Sequence, residues 1–273
     1  MLSKEAYTRH LSWKAPSRRS GEGQYVNIDD IRMYFEIYGG GEPVLLLHGS
    51  LGFIESFYNQ IPDLAKEFCV IAADSRGHGR TTDSDKPLSY ALMASDMIKL
   101  LDHLEMDSTH VVGWSAGAAI GIDLAINHPS RIRKLVAIGA HFSAEGLSDA
   151  LREFAQSLTV EALRRRDHFR AAIDFYKKMA PDPSHLPILL EKMKHMWLIG
   201  PNHTLKELGS IRAQTLVLSG ENDEFIRLDH VRELYQAIPN AHLKVIPDTG
   251  HFLPLESPKL VTEEIIDFLK TRH

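Results

Sequence analysis

Three residues far apart in the chain could together do nucleophilic chemistry: Ser115, His251 and a carboxylate near position 223. A serine hydroxyl is a weak nucleophile until a base takes its proton, and an imidazole serves as that base when a third group holds its tautomer. Ser115 stands in Gly113-Trp-Ser-Ala-Gly117, after the short apolar run ending at Val112 and before the helix-like segment Ala118 to Ala125. That succession predicts a buried strand, a turn too tight for flanking side chains, and a helix packed close behind. A serine at the apex exposes its hydroxyl above a helix N-terminus, the context in which Gly-x-Ser-x-Gly marks a nucleophile. The pentapeptide alone arises by chance in about one chain in ten of this composition, so its partners decide.

Of the fifteen histidines, His103, His128, His195 and His230 fall in predicted helices. His251 falls in Asp248-Thr-Gly-His-Phe252, the loop after the last predicted strand, where a parallel sheet presents it at the carboxyl edge. Gly250 lets the backbone turn tightly there. Asp223, at the end of Leu218-Ser-Gly-Glu-Asn-Asp, follows the preceding strand and can receive the imidazole Nδ1–H, leaving Nε2 to face the serine. Glu221 is its nearest rival. Asp229 is expected to cap the following helix, and Glu145 and Asp149 are more distant candidates. For the developing oxyanion, the expected donors are the backbone N–H groups of Ala116 and Ser50, with Leu51 the alternative to Ser50.

The elements that must position these residues are legible as an α/β pattern. Gln24 to Asp29 and Ile31 to Tyr38 alternate as an antiparallel hairpin. Val44–Leu47, Cys69–Ala73, His110–Trp114, Leu135–Ile138, Thr215–Leu218 and His242–Ile246 are short strands, several of them continuously apolar, as strands buried on both faces are. Helices are expected over 56–68, 91–105, 116–128, 229–237 and 258–270. From Phe142 to Leu208 the rhythm pauses, with helical stretches, the charge run Arg164-Arg-Arg166 and a break at Pro181, Pro183 and Pro187. The fold class is therefore α/β, a mostly parallel doubly wound sheet with an N-terminal antiparallel hairpin and an inserted helical cap. The division expected is an N-terminal extension (1–23), a core (24–141 and 209–273) and the cap (142–208).

The bulk properties narrow the class of partner. A net charge of −5 offers nucleic acid or an anionic membrane no electrostatic attraction. No apolar run reaches membrane-spanning length. Met1 to Gly23 lacks the apolar core of a secretory signal, and the single cysteine, Cys69, excludes an intrachain disulfide, so a cytoplasmic location is expected. Neither His-x-His nor His-Glu-x-x-His occurs, and no Gly-x-Gly-x-x-Gly follows a strand, so neither metal nor dinucleotide cofactor is expected.

Taken together, His48-Gly49, Asp74-Ser-Arg-Gly-His-Gly79, Gly113-Trp-Ser-Ala-Gly117, Gly220-Glu-Asn-Asp223 and Gly250-His251 resemble the α/β-hydrolase family over most of the chain outside the N-terminal extension and the helical block. The resemblance implies Ser115 as nucleophile, His251 as base, Asp223 as acid, residues 142–208 as a lid, and a structural role for Asp74–Gly79. Gly113-Trp-Ser and Ile138-Gly-Ala140 are most similar to the branch of biphenyl-hydrolase-like esterases. Some members of that branch carry an acidic residue directly after the serine, associated with amine-bearing substrates, and Ala116 departs from that pattern. Serine at position 115 also departs from the dehalogenase and epoxide-hydrolase variants, which attack with a carboxylate.

The expected activity is hydrolysis of a small, rather apolar carboxylic ester or lactone through an acyl-enzyme. The alternatives are C–C bond hydrolysis of ring-cleavage products, cofactor-free perhydrolysis, or a receptor-like protein that binds a ligand without turning it over. Phe142, Phe175, Met193, Trp197 and Phe252 are the candidate pocket residues.

Overall fold

Antiparallel pairing is confined to the start of the sheet. Strand β1 (Gln24–Ile28) and strand β2 (Ile31–Gly39) form a hairpin, and β2 then pairs antiparallel with β4 (Cys69–Ala73). β3 (Pro43–Leu47), β5 (Thr109–Trp114), β6 (Ile132–Ile138), β7 (Gln214–Gly220) and β8 (Ala241–Ile246) run parallel to one another and to β4. The eight-stranded order is β1-β2-β4-β3-β5-β6-β7-β8. This computed structural model describes residues 23–271; the extension expected over residues 1–23 lies, Gly23 apart, outside them.

The continuous apolar strands are explained by two cores. Successive residues point to opposite faces of a sheet. Leu45, Leu47, Val111 and Val217 join one buried cluster with α2 (Tyr90–His103) and α3 (Ala116–Asn127), while Val44, Leu46, Val112 and Leu218 join the other. The second face is covered by α1 (Ile61–Glu67) and the closing helix Pro258–Lys270, through Ile61, Leu64, Val261 and Ile265. A helix on each face is the doubly wound arrangement expected.

Some boundaries differ from expectation for identifiable reasons. The single helix expected over 56–68 is a 3-10 turn, Ile54–Phe57, followed by α1, whose first turn holds Pro62; proline lacks the N–H that a continuous helix would need and fits a helix start. β6 begins at Ile132 rather than Leu135, because Ile132 is buried and pairs with Thr109. Pro183 and Pro187 open a 3-10 turn and the helix Leu186–Ile199.

Between β6 and β7 the described residues form helices at Asp149–Gln156, Val160–Arg164, Asp167–Met179, Leu186–Ile199 and Leu205–Leu208. No helix among the described residues is long and apolar enough to cross a membrane. The parallel register places the carboxyl ends of β3, β5, β6, β7 and β8 along one edge of the sheet. That edge carries His48–Leu51, Ser115, Gly139–His141, Asp223 and His251, and ligands of open α/β sheets bind there.

Candidate active site

The turn at Ser115 is built by close approach. A Cβ on Gly117 would lie 2.0 Å from the Leu47 carbonyl oxygen, and one on Gly113 would lie 2.3 Å from the Gly117 carbonyl oxygen. A side chain at Gly113 would push β5 from α3, and one at Gly117 would push α3 from the end of β3. Ser115 itself takes φ 57° and ψ −117°, a left-handed conformation uncommon for a residue with a Cβ. Its N–H donates to Ile138 O at 2.8 Å, and its carbonyl accepts from Ala118 and Ala119. Backbone pairing on both sides thus holds the strained residue in place.

Ser115 Oγ lies 2.8 Å from His251 Nε2, and His251 Nδ1 lies 2.9 Å from Asp223 Oδ2 and 3.1 Å from Oδ1. Asp223 Oδ1 also accepts the Phe225 and Ile226 N–H groups, each at 2.9 Å. Burial works against the Asp223 charge. The His251 imidazole and these two N–H donors outweigh it and hold the carboxyl below its ordinary value. Burial likewise opposes a proton on His251, yet the charge and hydrogen bond of Asp223, with Glu224 and Glu256 behind, hold its pKa above the ordinary value.

The loop carrying His251 is fixed at its backbone. Its N–H donates to Glu224 Oε2 at 3.0 Å, and its carbonyl accepts the Trp114 indole N–H at 3.0 Å. Gly250 N–H donates to Glu256. Trp114, Glu224 and Glu256 are supports that no sequence motif marks. Nothing in residue type announces contacts between segments so far apart. Glu221, the rival acid, accepts the Asp248 N–H, Asp229 pairs with Arg227, and Asp223 is the carboxylate within reach of the imidazole.

Ala116 opens α3, so its N–H belongs to the first helical turn, whose donors have no carbonyl within the helix. Opposite it, Gly49–Gly52 closes a turn (Gly52 N–H to Gly49 O, 3.0 Å) in which Leu51 takes φ 57°. Ser50, Leu51 and Ala116 line the same cavity as Ser115 and His251. Ser50 Oγ accepts the Trp197 indole N–H at 2.8 Å. His48 secures the turn from below: Nε2 accepts the Ser75 N–H at 2.9 Å, so Nδ1 carries the proton donated to Gly49 O at 2.7 Å. Burial pushes its pKa down to about 4, which keeps this tautomer neutral.

The cavity over Ser115 is walled by Leu147, Leu151, Phe154, Phe169 and Trp197 from the helical block, and by Phe225, Phe252 and Leu255 from the sheet side. Of the expected pocket residues, Trp197 and Phe252 are on this wall. Phe142, Phe175 and Met193 are not. Phe142 stacks on His230 with ring centroids 4.0 Å apart, Phe175 stacks on Phe53 at 3.9 Å, and Met193 is wholly buried in the core. Lysine and arginine are absent from the described lining, and its one carboxylate, Glu55, pairs with Arg80. Among the described residues no three His, Cys, Asp or Glu side chains cluster as a metal would require.

The family model for the alpha/beta hydrolase fold matches residues 42–258. The chain belongs to the alpha/beta hydrolase family. Several relatives and solved structures similar to it are named as hydrolases. It is 27% identical to the 2-hydroxy-6-oxo-6-phenylhexa-2,4-dienoate hydrolase of Comamonas testosteroni, covering 90% of this chain and 94% of that one. An enol-lactonase from Burkholderia xenovorans shares the fold at a TM-score of 0.75 and 20% identity, over 91% and 100% of the two chains. A Bacillus subtilis carboxylesterase does so at 0.75 and 22%, over 97% and 96%. The chain is thus a hydrolase of the alpha/beta hydrolase family, and the cavity over Ser115 lies where that fold binds ligands.

Proposed function

We propose that Ser115, His251 and Asp223 are a catalytic triad that hydrolyses small, uncharged carboxylic esters or lactones through an acyl-enzyme. The observation that carries this reading is the unbroken line from Ser115 Oγ through both imidazole nitrogens to the Asp223 carboxylate, at 2.8 and 2.9 Å. His251 Nε2 takes the serine proton as Oγ bonds to the acyl carbon, and the negative charge moves to the carbonyl oxygen. The Ala116 N–H and an N–H of the Ser50–Leu51 turn hold that oxyanion. Collapse breaks the acyl C–O bond, and the proton on Nε2 passes to the leaving alkoxide. Water, deprotonated by His251, then attacks the acyl carbon and returns Ser115 with the free acid.

Two features of the cavity support a small neutral substrate. Its volume is about 80 Å³, below the roughly 150 Å³ of a cavity that takes a benzene ring. A dienoate substrate, such as the Comamonas relative's name describes, carries a carboxylate, and the described lining offers it no lysine or arginine. Ester or lactone hydrolysis therefore ranks above C–C hydrolysis of such a product. Residues 142–208 are read as the cap, since they supply Leu147, Leu151, Phe154, Phe169 and Trp197 to the wall.

Fluorophosphonate labelling of wild type and Ser115→Ala, beside a series of p-nitrophenyl esters, tests this reading. Labelling that needs Ser115, with turnover falling beyond short acyl chains, is expected. A folded wild type that neither labels nor turns over an ester overturns it.

A further inference from the structure

Tyr90 and His141 line the same cavity as Ser115 and have no place in the triad. Tyr90 opens α2, and His141 lies in the loop after β6; both are buried. Tyr90 Oη is 3.2 Å from His141 Nε2. His141 differs from the buried histidines His48, His78 and His251 in having no carbonyl or carboxylate oxygen on either ring nitrogen. Nδ1 of His48 meets Gly49 O, Nδ1 of His78 meets Arg76 O, and Nδ1 of His251 meets Asp223. Each of those rings has its tautomer set by an oxygen. His141 Nδ1 is buried without a hydrogen-bond partner, so no protein group fixes which nitrogen carries the proton.

The pair is also uncharged. Burial, with His230 and His251 nearby, pushes the His141 pKa down to about 3, and burial pushes the Tyr90 hydroxyl far above its ordinary value. With the proton on Nδ1, Tyr90 donates to Nε2 and its oxygen is left to accept. With the proton on Nε2, the imidazole donates to Tyr90 and the hydroxyl hydrogen is left to donate. An apolar wall gains nothing from such a pair, because unmet buried polar groups are costly.

We infer that Tyr90 and His141 form an uncharged subsite that reads a hydroxyl or keto oxygen on the substrate attacked by Ser115. This deepens the ester or lactone reading and rests on it. A carboxylate is a poor fit, because the pair carries no positive charge to meet it. A purely hydrocarbon acyl group leaves the pair unsatisfied.

The test compares ethyl butyrate with its 2-hydroxy, 3-hydroxy and 3-oxo derivatives by pH-stat. At least one derivative should be favoured in kcat/KM by about tenfold, the scale of one neutral hydrogen bond. In Tyr90→Phe, which keeps the ring, that ratio should fall to about one. His141→Gln, which can still present a polar atom toward Tyr90, should keep part of it, and His141→Leu should lose it. Calorimetric binding of the same four esters to Ser115→Ala, with and without Tyr90→Phe, reads the same ratio without turnover. It therefore still tests the pair if wild type proves inert and the hydrolase reading fails. Equal treatment of all four esters by wild type overturns the inference. So does a Tyr90→Phe protein in which all four weaken alike and the ratio survives, since that is the signature of a packing role.

Discussion

The indole N–H of Trp114, the residue directly before the serine, donates to the backbone carbonyl of His251 at 3.0 Å. The turn of Ser115 and the loop of His251 are therefore joined by the side chain of the first and the backbone of the second, in addition to the Oγ–Nε2 contact. Trp114 is buried, so its replacement leaves the carbonyl without a partner, at a cost of about 1–3 kcal/mol. Trp114→Phe should lower kcat on a short-chain ester by about tenfold while changing KM little, because the loss falls on the placement of the base. Steady-state kinetics beside a melting curve separate this from packing: a lower melting temperature with full kcat would reduce Trp114 to a core residue.

Asp223→Asn should be far more damaging. The amide would present an N–H to Nδ1 and favour the tautomer with its proton on Nε2, pointing at Ser115. A loss on the order of 10⁴ in kcat is expected, with fluorophosphonate labelling slowed in step. If more than a tenth of the activity remained, the acid role would pass to another carboxylate, and Glu224, already bonded to the His251 N–H, would be next in line.

The pH–rate profile follows from the direction of the His251 shift. Its pKa is held above the ordinary 6.5 by Asp223, Glu224 and Glu256 against the opposing effect of burial. The base works unprotonated, so kcat/KM should fall as pH drops through a value above 6.5. Removing the Asp223 charge leaves burial in control and should move that limb to lower pH. A wild-type limb centred below 6.5 would contradict the electrostatics described.

Stability should depend on pH through other buried histidines, His110 among them, whose pKa burial also lowers. Burial, first among the causes in each case, pushes His48, His78 and His230 down to about 4 and His141 to about 3. Between these values and 6.5 the unfolded chain binds protons that the folded chain does not, so stability declines as pH falls through that window and is fully present above it. By pH 5 each forfeits about 1–2 kcal/mol. Urea midpoints at pH 7 and pH 5 check this, and an unchanged midpoint would mean that these rings are protonated in place.

The parts of the molecule most legible in sequence were those where one residue type answers one geometric need. Gly113 and Gly117 stand where a Cβ would meet a carbonyl, and each apolar run ends in a loop at one sheet edge, so Ser115, Asp223 and His251 could be named together. Pocket residues were harder. Phe142, Phe175 and Met193 lie in or beside helices whose periodicity says that they are buried but not against what, and the structure turns them to His230, Phe53 and the core. Tyr90 and His141 escaped notice for the converse reason. Tyr90 reads as the first apolar residue of a helix, and the importance of His141 lies in a missing partner, which no sequence displays.

β8 sits at the end of the sheet and pairs with β7 alone, and His251 follows it. During synthesis from the amino end, the elbow of Ser115 is made well before the strand that delivers its base. A nascent or partly unzipped chain carries a serine hydroxyl with no proton acceptor, as unreactive as any surface serine. On the proposed triad, the pairing of edge strand β8 with β7 is therefore what brings the base to Ser115, and hydrolysis would require that edge to be closed.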